Sequence, residues 1–242
     1  MNNNNTVLLI EPRKINDIYK LINDYYSHLN NWNFVFYCGK NLKSYWENIL
    51  DKYVEIRELP VDNFNTASEY SFFMKQKELW ETLYGEYVLT IQLDTLIINK
   101  NLYNIEYFIN LNKSYIGGNM DFNWKELERE NITFKYYNFN GGLSLRKRLD
   151  MIKIIKTFPS ILFEGPDIFS SKIETDPEDV YFTKGCYKLG LSLGDDEESS
   201  FFAIHKIYKE SFFGIHQPSN NLHDIILKNY PEVLNSNLFI KN

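Results

Sequence analysis

The chain has 242 residues, a length that fits one large α/β domain or two small ones, and it needs no disulfides to hold a core. Its net charge of −6, its pI of about 5.3 and the lack of any Lys/Arg block exclude the electrostatic footprint of a nucleic-acid binder. Hydrophobic residues make up 44% of the chain, yet no apolar run approaches the ~20 residues that span a bilayer, so no membrane span is expected.

Cys38 and Cys186 are the only cysteines, and two isolated thiols in a chain this long fit a reducing compartment. Met1 to Asn5 carries neither a positive n-region nor an apolar h-region, so no signal peptide is expected and the predicted location is cytoplasmic. The wealth of Asn, Ile, Lys and Tyr beside two Ala is that of an AT-rich genome, such as a large DNA virus. Eighteen Tyr and eighteen Phe raise the aromatic share to 17%. Most such rings pack cores, though a surplus also suits stacking on the C–H faces of sugars.

Thr6 to Ile10 reads as a buried strand, halted by Glu11-Pro12-Arg13. Ile15, Ile18, Tyr19, Ile22, Tyr25, Tyr26 and Leu29 recur at helical spacing. Phe34 to Cys38 is a second strand stopped at Gly39, a short helix covers Leu42 to Leu50, and a third strand runs from Tyr53 to Leu59. One helix is predicted from about Ser68 to Tyr84, then a fourth strand from Tyr87 to Gln92. This alternation predicts a single α/β domain with a Rossmann-like, mostly parallel sheet flanked by helices on both faces.

The C-terminal half is less regular. Short strands are predicted at Leu96–Ile98, Tyr115–Gly117 and Gly142–Leu145, and helices at about Lys147–Thr157 and Pro177–Tyr187. Phe163 to Asp176 reads as a loop and Gly194 to Ser199 as a solvated acidic turn.

Ligands of open α/β sheets bind beyond the carboxyl ends of the strands, which selects Glu11, Pro12, Arg13, Gly39, Lys40, Asp94 and Thr95. Asp94 sits between two apolar runs, placed to hold a hard cation that bridges a diphosphate; the same position also serves a turn Asp or a helix cap. Arg13 offers a permanent cationic fork to a diphosphate or base edge, or is a surface turn residue. Glu11 accepts hydrogen bonds from a base or ribose, or is a solvated loop acid. In Asn140-Gly141-Gly142-Leu143-Ser144, paired glycines permit close backbone approach to a ligand, as does any Gly-Gly turn into a strand. Glu178 and Asp179 follow Pro177 at a helix start, where acids complement the helix dipole or supply a general base. His216 is a second metal ligand or a structural histidine.

No G-x-S-x-G elbow, P-loop, C-x-x-C, H-E-x-x-H or dinucleotide Gly-x-Gly-x-x-Gly is present. Two rival functions stay open. A nucleotidyltransferase would want a basic Gly-rich loop after the first strand, and Glu11-Pro12-Arg13 is not one. A non-catalytic nucleotide- or glycan-binding module would use the same pocket.

In order along the chain, Glu11-Pro12-Arg13, Leu79-Trp80-Glu81, Val88 to Thr95, Tyr115 to Gly118, Asn140 to Arg146, Pro177 to Phe182 and Gly214 to Pro218 carry a resemblance. They resemble a family assigned to GT-A-type glycosyltransferases and long catalogued as a domain of unknown function. The resemblance implies a nucleotide-binding half over about 6–95 and a donor-sugar and acceptor half over about 96–220. Glu11, Pro12, Arg13, Gly39, Gln92, Asp94 and Thr95 would bind a nucleoside-diphosphate sugar of UDP or GDP. Asn140, Gly141, Gly142 and Ser144 would line the donor-sugar and acceptor pocket. Glu178 and Asp179 would lie near the acceptor, a glycan, protein or small-molecule hydroxyl, with Asp179 the base if the transfer inverts; retention and inversion share this scaffold. Asp94 and His216 would hold Mn²⁺ or Mg²⁺. Gln92-Leu93-Asp94 stands where GT-A enzymes carry Asp-x-Asp, and Gln92 supplies no charge.

Overall fold

Thr6–Ile10 (β1) is buried at every position, so its side chains must find apolar partners on both sides. They do. Val7 and Leu9 pack with Phe34, Phe36 and the helix Ile18–His28 (α1), whose Ile18, Leu21, Ile22 and Tyr25 form its inward stripe. Leu8 and Ile10 point the other way, into a second cluster with Val35, Met74, Trp80, Met151 and Phe182. Alternation of side chains along one strand thus builds two core layers from a single sheet.

A computed structural model describes residues 4–98, 102–119, 139–161, 173–231 and 233. β1 lies between two parallel neighbours, Asn33–Cys38 (β2) and Tyr87–Ile91 (β4), with Leu8 level with Val35 and Thr90. Val54–Glu58 (β3) extends the parallel set beyond β2. The sheet runs on through Phe139–Lys147 (β7), antiparallel to β4, to Tyr115–Asn119 (β6), antiparallel to β7 with a register shift between Gly117 and Gly118. Its order is β3-β2-β1-β4-β7-β6. Thr95–Ile97 (β5), Ala203–Ile204 (β8) and Gly214–His216 (β9) make a small second sheet in the order β5-β9-β8. The predicted fold class therefore holds: a mostly parallel α/β sheet flanked by helices, with a less regular C-terminal half.

Besides α1, the helices are Lys43–Glu47 (α2), Ala67–Met74 (α3), Lys77–Glu81 (α4), Ile105–Asn110 (α5), Arg148–Thr157 (α6), Glu178–Lys188 (α7), Asp196–Phe202 (α8) and His223–Asn229 (α9). The single helix expected over 68–84 is two. Gln76 turns extended, and its side chain donates to the Phe72 carbonyl while the Trp80 indole donates to that of Met74. Side chains thus satisfy carbonyls that a continued helix would have paired. Lys75 reaches away to the Asp176 carbonyl at 2.8 Å, drawing the break inward.

The expected acidic turn is instead a helix start. Asp195 and Glu198 form a reciprocal capping box ahead of α8. Of the loop predicted over 163–176, residues up to 172 lie outside the described residues, and Ile173–Thr175 is a 3₁₀ turn. Among the described residues, no helix is long and apolar enough to cross a membrane.

Candidate active site

The carboxyl ends of β1 and β4 open into a cleft of about 520 Å³. Glu11, Pro12 and Arg13 after β1, and Gln92, Leu93 and Asp94 after β4, line it. The loop after β3 adds Asn63, Phe64 and Asn65, the start of α3 adds Thr66, Ala67 and Tyr70, and the residue after β9 adds Gln217.

Asp94 is held in a tight turn. The Thr95 N–H and hydroxyl both donate to the Gln92 carbonyl, at 3.2 and 2.7 Å, and the Thr95 hydroxyl accepts from Tyr25 at 2.8 Å. β9 then pairs antiparallel with β5 and sets Thr95 opposite His216. That register brings His216 and Gln217 onto the carboxylate. His216 Nε2 faces Asp94 Oδ1 at 3.4 Å, and the Gln217 amide donates to Oδ2. Gln217 has φ 39°, a left-handed conformation uncommon for a side-chain-bearing residue. Its N–H to the Asp94 carbonyl, at 3.3 Å, ties that conformation to the turn. Burial works to raise the Asp94 carboxyl; His216 and Gln217 outweigh it and leave it below the usual carboxylate range.

His216 is 2% exposed; neither ring nitrogen makes a well-formed hydrogen bond, and Nε2 has the 3.4 Å approach of Asp94 Oδ1. An imidazole so placed is short of a ligand. Its backbone is pinned from behind by His205, whose Nδ1 lies 2.8 Å from the His216 carbonyl and whose ring stacks on that of His216. Burial pushes His205 down to about 4, so it is neutral and donates that bond. Gly142 completes the packing: a Cβ there would lie 2.3 Å from His216 Nε2 and 2.5 Å from Gln92 Oε1. One oxygen donor and one nitrogen donor thus face each other beside the cleft, which fits a borderline divalent cation completed by ligand oxygens and water. No group of three or more His, Cys, Asp or Glu able to hold a metal occurs among the described residues.

Arg13 forks onto Glu11, with Nε to Oε1 at 2.8 Å and an Nη to Oε2 at 2.9 Å. Glu11 is thus neither a solvated acid nor a free acceptor. It is a buried support for a half-exposed guanidinium, whose pKa its hydrogen bond raises.

The remaining expected residues are not on the cleft wall. Gly39 is wedged between the Pro12 and Asp62 carbonyls, where a Cβ would lie 2.4 and 2.6 Å from oxygen. Thr95 is spent on the turn. Ser144 is buried, donating to the Gly141 carbonyl and accepting from Arg146 Nε. Asn140 accepts from the Gly142 N–H at 2.8 Å. Glu178 is buried and bidentate with Arg146, at 2.5 and 3.1 Å. Asp179, the next residue, is half-buried; burial first and the Glu178 charge second raise its carboxyl to about 7. Its charge and that of Glu178 both reach the phenol of Tyr70 on the cleft wall.

Asn63, Phe64, Asn65, Thr66 and Tyr70 were not expected. The carboxyl-end rule applied to the third strand points to them, as does Thr66-x-x-Glu69, which marks a helix start. The Thr66 side chain does accept the Glu69 N–H.

Among solved structures the chain is similar to the crystal structure of a glycosyltransferase involved in the glycosylation of the major capsid of PBCV-1. Identity is 18% and the TM-score 0.49, over 91% of this chain and 96% of that one. No curated protein matches the sequence. The family model described as "Protein of unknown function (DUF5672)" matches residues 53–218, well over half of the chain, and the protein belongs to that family.

Proposed function

We propose that the protein transfers a sugar from a nucleoside-diphosphate sugar, of UDP or GDP, to a hydroxyl of a glycan, protein or small molecule. The observation that carries this reading is the convergence of Asp94 and Gln217 in a cleft at the carboxyl end of the parallel strands, with the buried His216 against Asp94 from behind and the Arg13 fork in the same cleft. Asp94 and His216 would hold a Mn²⁺ or Mg²⁺ ion, which when bound supplies positive charge for a leaving diphosphate. Arg13, held by Glu11, adds a fixed cation to the same cleft. Phe64 and Tyr70 offer aromatic faces to a base or ribose, and Asn63 and Asn65 offer amide donors and acceptors.

Asp179 accepts the proton of the acceptor hydroxyl as that oxygen bonds to the anomeric carbon. The bond from that carbon to the diphosphate breaks, and its electron pair leaves with the phosphate. A carboxyl near pH 7 suits this task, since it is partly ionised at neutral pH while remaining a competent proton acceptor.

The test is the melting temperature against a panel of nucleoside diphosphates, with and without Mn²⁺. A ligand at 100 times its Kd stabilises by about 2.7 kcal/mol, an easily read shift. The expected result is a shift with UDP or GDP that Asp94→Ala abolishes. No shift with any nucleotide would sink the reading. Gln92, an amide where a second acid would strengthen the cation site, favours a second reading, a non-catalytic nucleotide-binding module. A melting shift without any hydrolysis or transfer of the donor would select it.

A further inference from the structure

Behind the cleft, β7 and α7 meet across a fully buried charge. Arg146 is 0% exposed and lies over the rings of Tyr115 and Phe182, at 4.6 and 5.3 Å to their centroids. Its guanidinium spends its donors on Glu178, on the Ser144 hydroxyl, on the Gly141 carbonyl and on the Tyr115 hydroxyl. Glu178 reaches it only because residue 141 has no side chain. A Cβ at Gly141 would lie 1.9 Å from Glu178 Oε1. The Glu178 N–H is in turn held by Ser71 Oγ on α3 at 3.3 Å. The first turn of α7 is therefore fixed from β7 on one side and from α3 on the other, and Asp179 is the next residue on that turn.

We propose that Glu178 is a positioning residue: clamped by Arg146 in the notch at Gly141, it fixes the first turn of α7 and sets its negative charge against Asp179. This rests on the reading of Asp179 as the proton acceptor. Among the described residues, other groups also face that turn. Val180 donates its own N–H to Asp179 Oδ1 at 2.8 Å. Tyr70 of α3 and Tyr115 of β6 are phenols that feel the Asp179 charge. From the 3₁₀ side, Asp176 is tied to Lys184 at 2.8 Å and its carbonyl to Lys75. α6 meets α7 with Ile154, packed on Gly185. A like charge on the adjacent residue raises proton affinity, and a cation lowers it. Here the raising effect of Glu178 exceeds the lowering effect of Arg146.

The experiment is a carboxyl ¹³C NMR titration of Asp179 in the full chain, in wild type and in Glu178→Gln, which keeps the shape and loses the charge. The expected result is a midpoint lower by about one pH unit. The ascending limb of the transfer rate should move with it while the high-pH plateau stays. An unmoved midpoint in folded Glu178→Gln overturns the proposal. If that variant does not fold, the double variant Glu178→Gln/Arg146→Gln removes both charges; its midpoint must still fall, by less, and a midpoint that stays or rises overturns the proposal equally. The titration needs no catalysis, so it is separable from the reading beneath it. Asp179→Asn that still transfers sugar would refute the base while leaving the electrostatic coupling intact.

Discussion

One arginine–glutamate fork lines the cleft and a second is buried between β7 and α7, and the two are built for different work. Arg13 and Glu11 are two residues apart, and the Arg13 side chain is 49% exposed. Arg146 and Glu178 are 32 residues apart, with side chains 0% and 7% exposed. The first pair forms as soon as its loop does and adds almost nothing to the closure of the fold. The second exists only after β7 and α7 have docked, and each partner then depends on the other to offset its desolvation. Equal geometry thus carries unequal energy: an exposed fork is free to trade its carboxylate for a ligand, whereas a buried one is part of the frame.

The largest effect expected from breaking this contrast comes from Arg146→Met. It leaves the Glu178 carboxylate buried and unpaired, which costs about 3–5 kcal/mol. Chemical denaturation reads the loss directly. The paired change Arg146→Met/Glu178→Leu should recover most of it, because two apolar groups of similar bulk leave no orphaned charge. A single variant that loses less than about 1 kcal/mol would show the buried pair to be no different from a surface one.

A middle-sized effect concerns the residue beside that pair. Asp179 titrates near 7 in the folded protein, well above an ordinary Asp. Between roughly pH 4 and 7 the unfolded chain has lost a proton that the native state keeps, so stability falls as pH rises through that window and stays reduced above it. Asp179→Asn cannot ionise and escapes the loss. At pH 8 it should be more stable than wild type by on the order of 2 kcal/mol, about half of what the full rise would give because the group is partly exposed and screened, and it should match wild type near pH 4, while losing transfer activity. A gain that is the same at both pH values would deny the shifted carboxyl.

How much of this was legible beforehand follows the same division between local and distant. β1 to β4 are short apolar runs whose ends are marked in sequence by Pro12, Gly39 and Gly85, so the parallel half could be read from pattern alone. The place of Asp94 on the cleft wall is legible by the same logic, because a polar residue at the end of a buried strand is a local signal. The partners of these residues were not legible. Nothing in the sequence marks Glu11 and Arg13 as a pair, yet their pairing decides what both do. Glu178 looked like a first-turn acid or a catalyst, and only the docking of α7 on Gly141 shows it as the counter-ion of Arg146. The split between α3 and α4 was hidden for the same reason: the groups that stabilise it include Lys75 bound to Asp176, 101 residues away.

The smallest stability effect, and the one that bears most on function, is expected at Arg13. Its fork with Glu11 is half in water, so Arg13→Ala should change folding stability by less than about 1 kcal/mol. Nε and one Nη are engaged by Glu11, while the geometry leaves the rest of the guanidinium at the cleft. A charge-assisted hydrogen bond to phosphate contributes about 1.5–3 kcal/mol, so the same substitution should weaken nucleoside-diphosphate affinity by about tenfold or more. Calorimetric titration with UDP and GDP measures one quantity and a melting curve without ligand the other. Arg13→Lys separates charge from shape, since an ammonium keeps the charge but not the planar fork. If Lys restores affinity in full, Arg13 acts as a point charge; if it restores less than half, the fork itself is read by the ligand. Unchanged affinity in Arg13→Ala would instead place the pair with its buried counterpart, as scaffold.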